Sequence, residues 1–113
     1  MVAYSTDVSV GVEILRVIHF DSNRNVLGIS DYRGDIAEVT VPIRAIVGDA
    51  LRLGTVGLLL SHNHPSGDPT PSDADIGTTH RLARALGALD IRVHDHLVIG
   101  ANRHVSFRTL GLL

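Results

Sequence analysis

Two histidines separated by one residue, His62 and His64, are the side chains whose type and spacing best suit a metal site. The largely apolar run 58–61 before them predicts a buried strand, in which side chains at positions i and i+2 point to the same side. Both imidazoles can therefore face one ion. Pro65 favours an extended backbone at His64, and the glycine and prolines that follow predict a stiff loop. The pair is expected where the sheet ends.

A catalytic zinc ion takes about three protein ligands and keeps a water molecule in the fourth position. The chain has no cysteine, so histidine and acidic residues must supply these ligands. Asp75 is the preferred carboxylate because it falls in the first turn of a predicted helix just past the loop. Asp68 lies in the turn-rich loop, and Asp73 would point about 100° around the helix from Ser72, so both are weaker alternatives.

Ser72 and Asp75 also have a structural interpretation. The pattern S-x-x-D before an apolar-periodic segment is close to a capping box, with Ser72 as the N-cap and Asp75 three residues later. Taken alone, this spacing favours the cap over a catalytic role. The two roles are compatible, because a side chain at a helix N-terminus can face a site as well as the backbone.

Hydrolysis at zinc also needs a base that takes a proton from water. Glu13 is the first candidate, since a charge that opens an otherwise apolar strand is costly unless it is paired or lies at the rim. A solvated strand start would explain this glutamate equally well. Glu38, between Ala37 and Val39, is the second choice.

Apolar periodicity and turn residues outline the elements that must position these groups. They predict strands at 13–20, 26–31, about 37–41, 56–61, 91–99 and 105–107, and helices at 42–54 and 72–89. The apolar stripes of the two helices are predicted to be Ile43, Ile46, Val47, Ala50 and Leu51, and Ile76, Leu82, Ala83, Leu86 and Leu89. A hairpin followed by two crossover helices indicates an α/β sandwich with a mixed sheet. At 113 residues, the chain 1–113 is expected to form one domain.

Composition limits the classes of function. Only 4% of the residues are aromatic, which counts against stacking on single-stranded nucleic acid. All ten basic residues are arginine, and the net charge of −2 gives no electrostatic footprint for a polyanion, although a local arginine patch remains compatible with it. The sequence has neither a signal-peptide pattern at its start nor a run near the ~18 apolar residues of a membrane span. We therefore expect a cytoplasmic protein.

Together these residues resemble a known family. Glu13, His62-Asn63-His64, Ser72 and Asp75 are similar to the JAMM motif of JAB/MPN+ metalloproteins. The segment 61–72 resembles the signature of the RadC-like branch nearly residue for residue, and the segments 90–93, 95–100, 106–107 and 111–113 are also similar. The resemblance extends from Glu13 to the last residue.

The resemblance implies a cytidine-deaminase-like α/β/α sandwich with a mixed sheet, the JAB/MPN fold, carrying a zinc hydrolase site. It implies that His62, His64 and Asp75 bind Zn²⁺, that Glu13 activates the water, and that Ser72 hydrogen-bonds the oxyanion. These roles are chemically coherent, because zinc lowers the pKa of its water to about 7. A donor aimed at developing negative charge contributes about 2.7–4 kcal/mol.

Two functions follow from the resemblance. Eukaryotic relatives cut isopeptide bonds of ubiquitin-like modifiers, so the first hypothesis is a zinc-dependent peptidase or isopeptidase acting on a peptide or protein. The RadC-like branch carries a DNA-repair name, so the second is a non-catalytic or DNA-associated module that keeps the metal site for structure and acts through a partner, with arginines such as Arg81, Arg84 and Arg92. The net charge disfavours DNA. Members of the branch commonly carry a helix-hairpin-helix region before this domain, and we expect none here because the chain starts almost at its first strand.

Asp95 and His96 are adjacent in a predicted strand and therefore face opposite sides. One of them could support the metal site from behind its ligands, but the pattern favours an ordinary buried hydrogen-bonded pair. The other histidines, His19, His80, His94 and His104, are predicted to be sheet or surface residues. An exposed first strand would also allow a homodimer through edge pairing, although no feature of the sequence requires one.

Overall fold

The structure is a computed structural model that describes residues 12–34 and 41–113. The described elements are β1 (Glu13–Phe20), β2 (Val26–Gly34), α1 (Ile43–Leu53), β3 (Gly57–Asn63), α2 (Asp73–Gly87), β4 (Arg92–Ile99) and β5 (His104–Ser106). Most of the strand predicted at about 37–41, together with the alternative base Glu38, lies outside the described residues.

The five described strands form one mixed sheet in the order β2-β1-β3-β4-β5. β1 runs antiparallel to both β2 and β3, β3 runs parallel to β4, and β4 runs antiparallel to β5. The parallel pair needs a long crossover, which α2 supplies. The α/β fold with a mixed sheet is therefore confirmed.

The expected exposed edge at the first strand is wrong. β1 lies between β2 and β3, so its backbone groups are paired on both sides, and the edges among the described strands are β2 and β5. The sequence indicated the hairpin but not the long-range pairing of β1 with β3. A second copy of the chain therefore cannot pair with the edge of β1. A homodimer stays a prediction, but it would have to form through another surface.

The core lies between the sheet and the two helices. Alternate side chains of the central strands meet the inner faces of α1 and α2 in a single buried cluster, which includes Leu15, Val17, Ile46, Ala50, Leu58, Leu60, Leu82 and Leu86. Both helices therefore pack on the same face of the sheet. Within residues 12–34 and 41–113 there is no second helical layer of the kind an α/β/α sandwich has on its other face.

The helix ends follow the local sequence, with two corrections to the apolar stripes. Pro42 occupies the N-cap of α1, and Gly54 ends this helix with a φ of 72°, a left-handed conformation that glycine adopts without steric cost. Leu51 is 59% exposed because it lies about 100° around the helix from the buried Ala50. Leu89 is 45% exposed because α2 has already ended before it.

The sheet topology gathers residues that are distant in sequence. Because β1 and β3 are antiparallel, the start of β1 lies beside the end of β3, and Leu15 pairs with His62. The loop after β3 then leads directly into the first turn of α2. The first residue of β1, the last residues of β3 and the start of α2 therefore converge at one end of the sheet.

The described part of the chain contains no helix of the length and apolar character that spanning a membrane requires.

Replacing a core leucine should destabilise this fold far more than replacing an exposed one. Leu82→Ala removes a side chain that is 0% exposed, so we expect the free energy of unfolding to fall by about 2–5 kcal/mol. Leu89→Ala changes a half-exposed leucine just beyond the same helix and should cost about 1 kcal/mol or less. Urea denaturation of the two variants measures both values, and equal losses would contradict this description of the core.

Candidate metal centre

Four ionisable side chains meet where β1, β3 and α2 converge. The Nε2 atoms of His62 and His64 are 3.0 Å apart. Asp75 places Oδ1 3.6 Å from His62 Nε2 and Oδ2 3.3 Å from His64 Nε2. Glu13 Oε1 lies 3.8 Å from His64 Nε2. The two carboxylates and two imidazoles thus face one small volume.

These separations fit the donor atoms of one metal ion. A tetrahedral ion with bonds of 2.0–2.1 Å requires its ligand atoms to lie about 3.3–3.4 Å apart. The distances that join His62, His64 and Asp75 range from 3.0 to 3.6 Å, with Oδ1 of Asp75 facing His62 and Oδ2 facing His64. Glu13, His62 and His64 also offer one ligand atom each within 4.8 Å of one another. Imidazole nitrogen and carboxylate oxygen are ligands that several divalent metals accept.

A backbone carbonyl orients His64 for such a role. Its Nδ1 lies 2.8 Å from the carbonyl oxygen of Asp68, and a carbonyl can only accept, so Nδ1 carries the hydrogen and donates it. In the neutral ring, Nε2 then presents its lone pair to the cluster. The bond to Asp75 raises the pKa of His64, against the lowering effect of partial burial. A metal would therefore compete with a proton at this nitrogen.

The loop after β3 holds His64 against the end of β4. The backbone N–H of His64 donates to the carbonyl of Ile99 at 2.8 Å, and that of Ala101 donates to the carbonyl of Gly67 at 3.0 Å. Gly67 has a φ of 91°, which only glycine adopts readily. A Cβ at Gly100 would lie 2.3 Å from the carbonyl oxygen of Gly67, so this contact also requires glycine.

His96 contacts the ring nitrogen of His62 that points away from the cluster. Nδ1 of His62 lies 2.7 Å from Nε2 of His96, whose Nδ1 lies 2.8 Å from the hydroxyl of Thr79 on α2. The ring of His96 stacks on Phe107 with centroids 4.5 Å apart. All of these side chains are buried.

The expected hydrogen bond between Asp95 and His96 is present through the backbone N–H of His96, but the side chain of His96 contacts His62. His96 contacts His62, whereas the carboxylate of Asp95 accepts from Ser106 Oγ and from the backbone N–H groups of His96 and Arg108. Strand alternation correctly predicted that the two side chains point to opposite faces of the sheet. It could not place His96 near His62, because that depends on the register of β4 against β3.

Asn63, the residue between the two histidines, holds the backbone on both sides of Glu13. Its Oδ1 accepts from the N–H of Ile14 at 2.7 Å, and its Nδ2 donates to the carbonyl of Val12 at 2.8 Å. The side chain is 1% exposed and continues the strand pairing beyond the last backbone partner. Sequence reasoning missed this role, although strand alternation already placed Asn63 on the face opposite to His62.

Ser72 and Asp75 form the predicted capping box and also reach the cluster. Ser72 Oγ accepts from the N–H of Asp75 at 3.0 Å, and Asp75 Oδ2 accepts from the N–H of Ser72 at 2.9 Å. The same carboxylate contacts both histidines. The structural interpretation is therefore confirmed without excluding the chemical one.

The two alternative aspartates lie elsewhere. Asp68 is exposed and uses its carboxylate to accept from the N–H and the hydroxyl of Thr70. Asp73 is exposed in the first turn of α2. Asp75 is the one of the three whose carboxylate contacts both His62 and His64. Whether it binds a metal stays a prediction.

Burial and charge give the cluster a defined protonation pattern. Burial lowers the pKa of His62 to about 4, with Asp75 opposing part of the shift. Burial likewise lowers the pKa of His96 to about 3. Burial alone would raise the pKa of Asp75, but the bonds from His64 and Ser72 and the charge of His62 hold it well below its usual range. At neutral pH the cluster thus offers a neutral His62 and an ionised Asp75.

Comparison with known proteins identifies a family and relatives that the chain resembles. A family model described as the RadC-like JAB domain matches residues 2–112. A UPF0758 protein of Rhodobacter capsulatus is 46% identical over 102 residues, which cover 89% of this chain and 48% of the relative. A UPF0758 protein of Ruegeria pomeroyi is 46% identical over 104 residues, which cover 89% of this chain and 46% of the relative. The chain spans about half the length of these curated relatives, and the resemblance inferred from residues 61–72 is confirmed.

Removing the amide of Asn63 should loosen the start of β1. In Asn63→Ala, the N–H of Ile14 and the carbonyl of Val12 lose their partners, which should lower the free energy of unfolding by about 1–3 kcal/mol. Amide hydrogen exchange at Ile14 should accelerate. The matched control is Asn25→Ala, whose exposed side chain bonds Asp21 in a turn and should contribute about 0.5 kcal/mol or less. Unchanged exchange at Ile14 would contradict the role of Asn63.

Lowering the pH from about 6 to about 4.5 should destabilise the protein after its metal has been removed with a chelator. In the unfolded chain His62 and His96 titrate near 6.5, whereas in the fold their pKa values are about 4 and about 3. Between these values the unfolded state binds more protons, so the free energy of unfolding should rise with pH by roughly 2 kcal/mol per pH unit between about 4.5 and 6. Urea denaturation at a series of pH values measures this slope.

Two other groups of the cluster change their contributions to stability outside the range of about pH 4.5 to 6. His64 has a raised pKa, so its contribution is complete below 6.5 and is lost as the pH rises through the raised value. Asp75 has a lowered pKa, so its contribution is present above 3.8 and is lost as the pH falls toward the lowered value. A stability that is flat between about pH 4.5 and 6 would contradict a neutral, buried His62 and His96.

Proposed function

This chain belongs to the RadC-like JAB domain family, and we propose that it is a zinc-dependent hydrolase of peptide or isopeptide bonds. The observation that carries the proposal is the approach of His62 Nε2, His64 Nε2 and the Asp75 carboxylate to within 3.0–3.6 Å of one another, with Glu13 beside them. Two neutral nitrogen donors and one carboxylate are the ligand set of a catalytic zinc site that keeps one position open.

We assign His62, His64 and Asp75 as the zinc ligands. Asp75 directs one oxygen toward each histidine, whereas Glu13 approaches His64 alone at the longer distance of 3.8 Å. The lowered pKa of Asp75 keeps this carboxylate ionised, as a ligand must be. A bound zinc ion would supply Lewis acidity to a water molecule and to the carbonyl of the scissile bond.

Glu13 is the general base in this proposal. It is 5% exposed and its carboxylate faces the histidines from the first position of β1. Oε1 would take a proton from the attacking water and later give it to the leaving amine, which is the usual two-step use of a carboxylate. The two hydrogen bonds of Asn63 hold the backbone on either side of Glu13 and so limit its movement.

Ser72 would stabilise the carbonyl oxygen of the substrate as it gains negative charge. Its hydroxyl accepts from the N–H of Asp75, and a hydroxyl that accepts one hydrogen bond can also donate one. The capping box fixes Ser72 next to the ligand Asp75, so the donor would be positioned before the substrate arrives.

The competing function is a module that keeps the metal for structure and acts through a partner or DNA. A structural site is closed by four protein ligands, so such a module would use Glu13 as the fourth ligand beside His62, His64 and Asp75. The distance of 3.8 Å from Glu13 Oε1 to His64 Nε2 exceeds the 3.0–3.6 Å that joins the other three residues, which favours a base outside the ligands and therefore the hydrolase. The exposed arginines Arg81, Arg84 and Arg92 are what the alternative would use.

Metal analysis tests the ligand assignment. Wild-type protein, loaded with zinc and freed of excess by gel filtration, should retain about one zinc ion per chain. Asp75→Asn and His62→Ala should each lose it, because the site keeps only two strong ligands. Asp73→Asn, which changes an exposed carboxylate in the same helical turn, should retain it. Failure of the wild-type protein to retain zinc would overturn the hydrolase proposal.

Cleavage assays with Glu13→Gln separate catalysis from metal binding. The amide keeps the shape of the side chain but cannot take the proton, so turnover of a peptide or isopeptide-linked substrate should fall about 10²–10⁴-fold. Zinc content should stay near one ion per chain. A wild-type protein that binds zinc yet cleaves no member of a broad peptide and isopeptide panel would favour the scaffold instead.

A further inference from the structure

Behind the metal cluster runs a short chain of buried polar side chains. It leads from Nδ1 of His62 to Nε2 of His96 at 2.7 Å, and from Nδ1 of His96 to Oγ1 of Thr79 at 2.8 Å. His62 is 3% exposed, and His96 and Thr79 are fully buried. Water does not reach these nitrogen atoms freely, so the protein partners decide which of them carries a hydrogen.

We propose that Thr79 and His96 are positioning residues that fix the tautomer and the ring orientation of His62 for metal binding. The inference rests on the proposed function only in requiring that His62 bind the metal through Nε2. It adds two residues that do not touch the metal themselves. They act through the ligand, as partners that fix the tautomer of a metal-binding histidine do.

The position of each hydrogen follows in order from the metal. A metal takes the lone pair of His62 Nε2, so the hydrogen of that ring lies on Nδ1. Nδ1 then donates to Nε2 of His96, which must accept. His96 therefore carries its own hydrogen on Nδ1 and donates it to the hydroxyl oxygen of Thr79. Only this arrangement gives both contacts one donor and one acceptor while His62 stays a ligand.

The surroundings hold the chain in place. His96 stacks on Phe107 with an interplanar angle of 19°, and its ring centroid lies 4.8 Å from that of His62. Thr79 follows Asp75 by four residues on α2 and so lies on the same face of the helix. One helix therefore supplies the carboxylate of the cluster and, one turn later, the end of the chain behind His62.

The same protein contains a natural control. Thr55 Oγ1 lies 2.9 Å from Nδ1 of His19, and both side chains are buried, as in the pair of Thr79 and His96. The other ring nitrogen of His19 has no hydrogen-bond partner among residues 12–34 and 41–113. His19 pairs with Leu58 on β3, four residues before His62. This second pair therefore reproduces the buried Thr–His hydrogen bond without a link to the metal cluster.

Zinc affinity of matched variants tests the inference, with the metal alone as the probe and a chelator of known affinity as competitor. Thr79→Val preserves shape and removes the hydroxyl, and it should weaken zinc binding about 10–100-fold. Thr55→Val makes the same change in the control pair and should leave zinc affinity within about twofold of wild type. Thr79→Ser should restore tight binding because it restores the hydroxyl. Equal zinc affinity in Thr79→Val and Thr55→Val would overturn the proposal.

A spectroscopic readout tests the hydrogen positions directly. Long-range ¹H–¹⁵N correlation spectra of the zinc-loaded protein should show His62 and His96 both protonated at Nδ1 only. A hydrogen on Nε2 of His96 would refute the arrangement even if Thr79→Val bound zinc weakly. Wild-type protein that fails to bind zinc would overturn this inference together with the hydrolase. Zinc binding that depends on Thr79 without any hydrolysis would retain the inference and remove the enzyme.

Discussion

The antiparallel pairing of β1 with β3 is the constraint on which the candidate site depends. It brings Glu13 to histidines about fifty residues away, because the beginning of one strand must lie beside the end of the other. A slip of one residue in this register would turn Glu13 to the opposite face of the sheet. Asn63 opposes such a slip, since its amide bonds the backbone of Val12 and Ile14 where the regular ladder has ended.

Stability and chemistry share residues at the start of α2. The capping box satisfies backbone N–H groups that a helix N-terminus leaves without partners, and this interaction alone accounts for Ser72 and Asp75. The Asp75 carboxylate has a second oxygen, however, and it lies toward His62. The positive end of the helix dipole also favours an ionised carboxylate there. Asp75 can thus cap the helix and also present a negative charge to the histidines. The hydrogen bonds of the capping box hold this carboxylate in place, so no additional residue is needed to position it.

Local sequence patterns predicted the parts of the site that lie within one element. Strand alternation placed His62 and His64 on one side, the S-x-x-D spacing predicted the cap, and Gly54 marked the end of α1. The missed features depend on contacts between elements. The interior position of β1, the contact of His96 with His62 and the role of Asn63 all follow from strand order and register, which periodicity does not determine. The remaining part of the chain, including Glu38, lies outside the described residues.

The buried position of the cluster explains why its hydrogen bonds matter as much as its donor atoms. In a site exposed to water, a histidine can exchange tautomers and reorient at little cost, and a metal can select the form it needs. His62 is nearly inaccessible, and its pKa of about 4 keeps it neutral, so the hydrogen must lie on one nitrogen or the other. The neighbours of Nδ1 decide which one. His64 meets the same requirement through the carbonyl of Asp68, which fixes its hydrogen without any titratable partner. The hydrogen on Nδ1 is thus fixed by different means in the two histidines: His62 depends on side chains from β4 and α2, and His64 depends on its own loop. Metal affinity should therefore be more sensitive to distant packing through His62 than through His64.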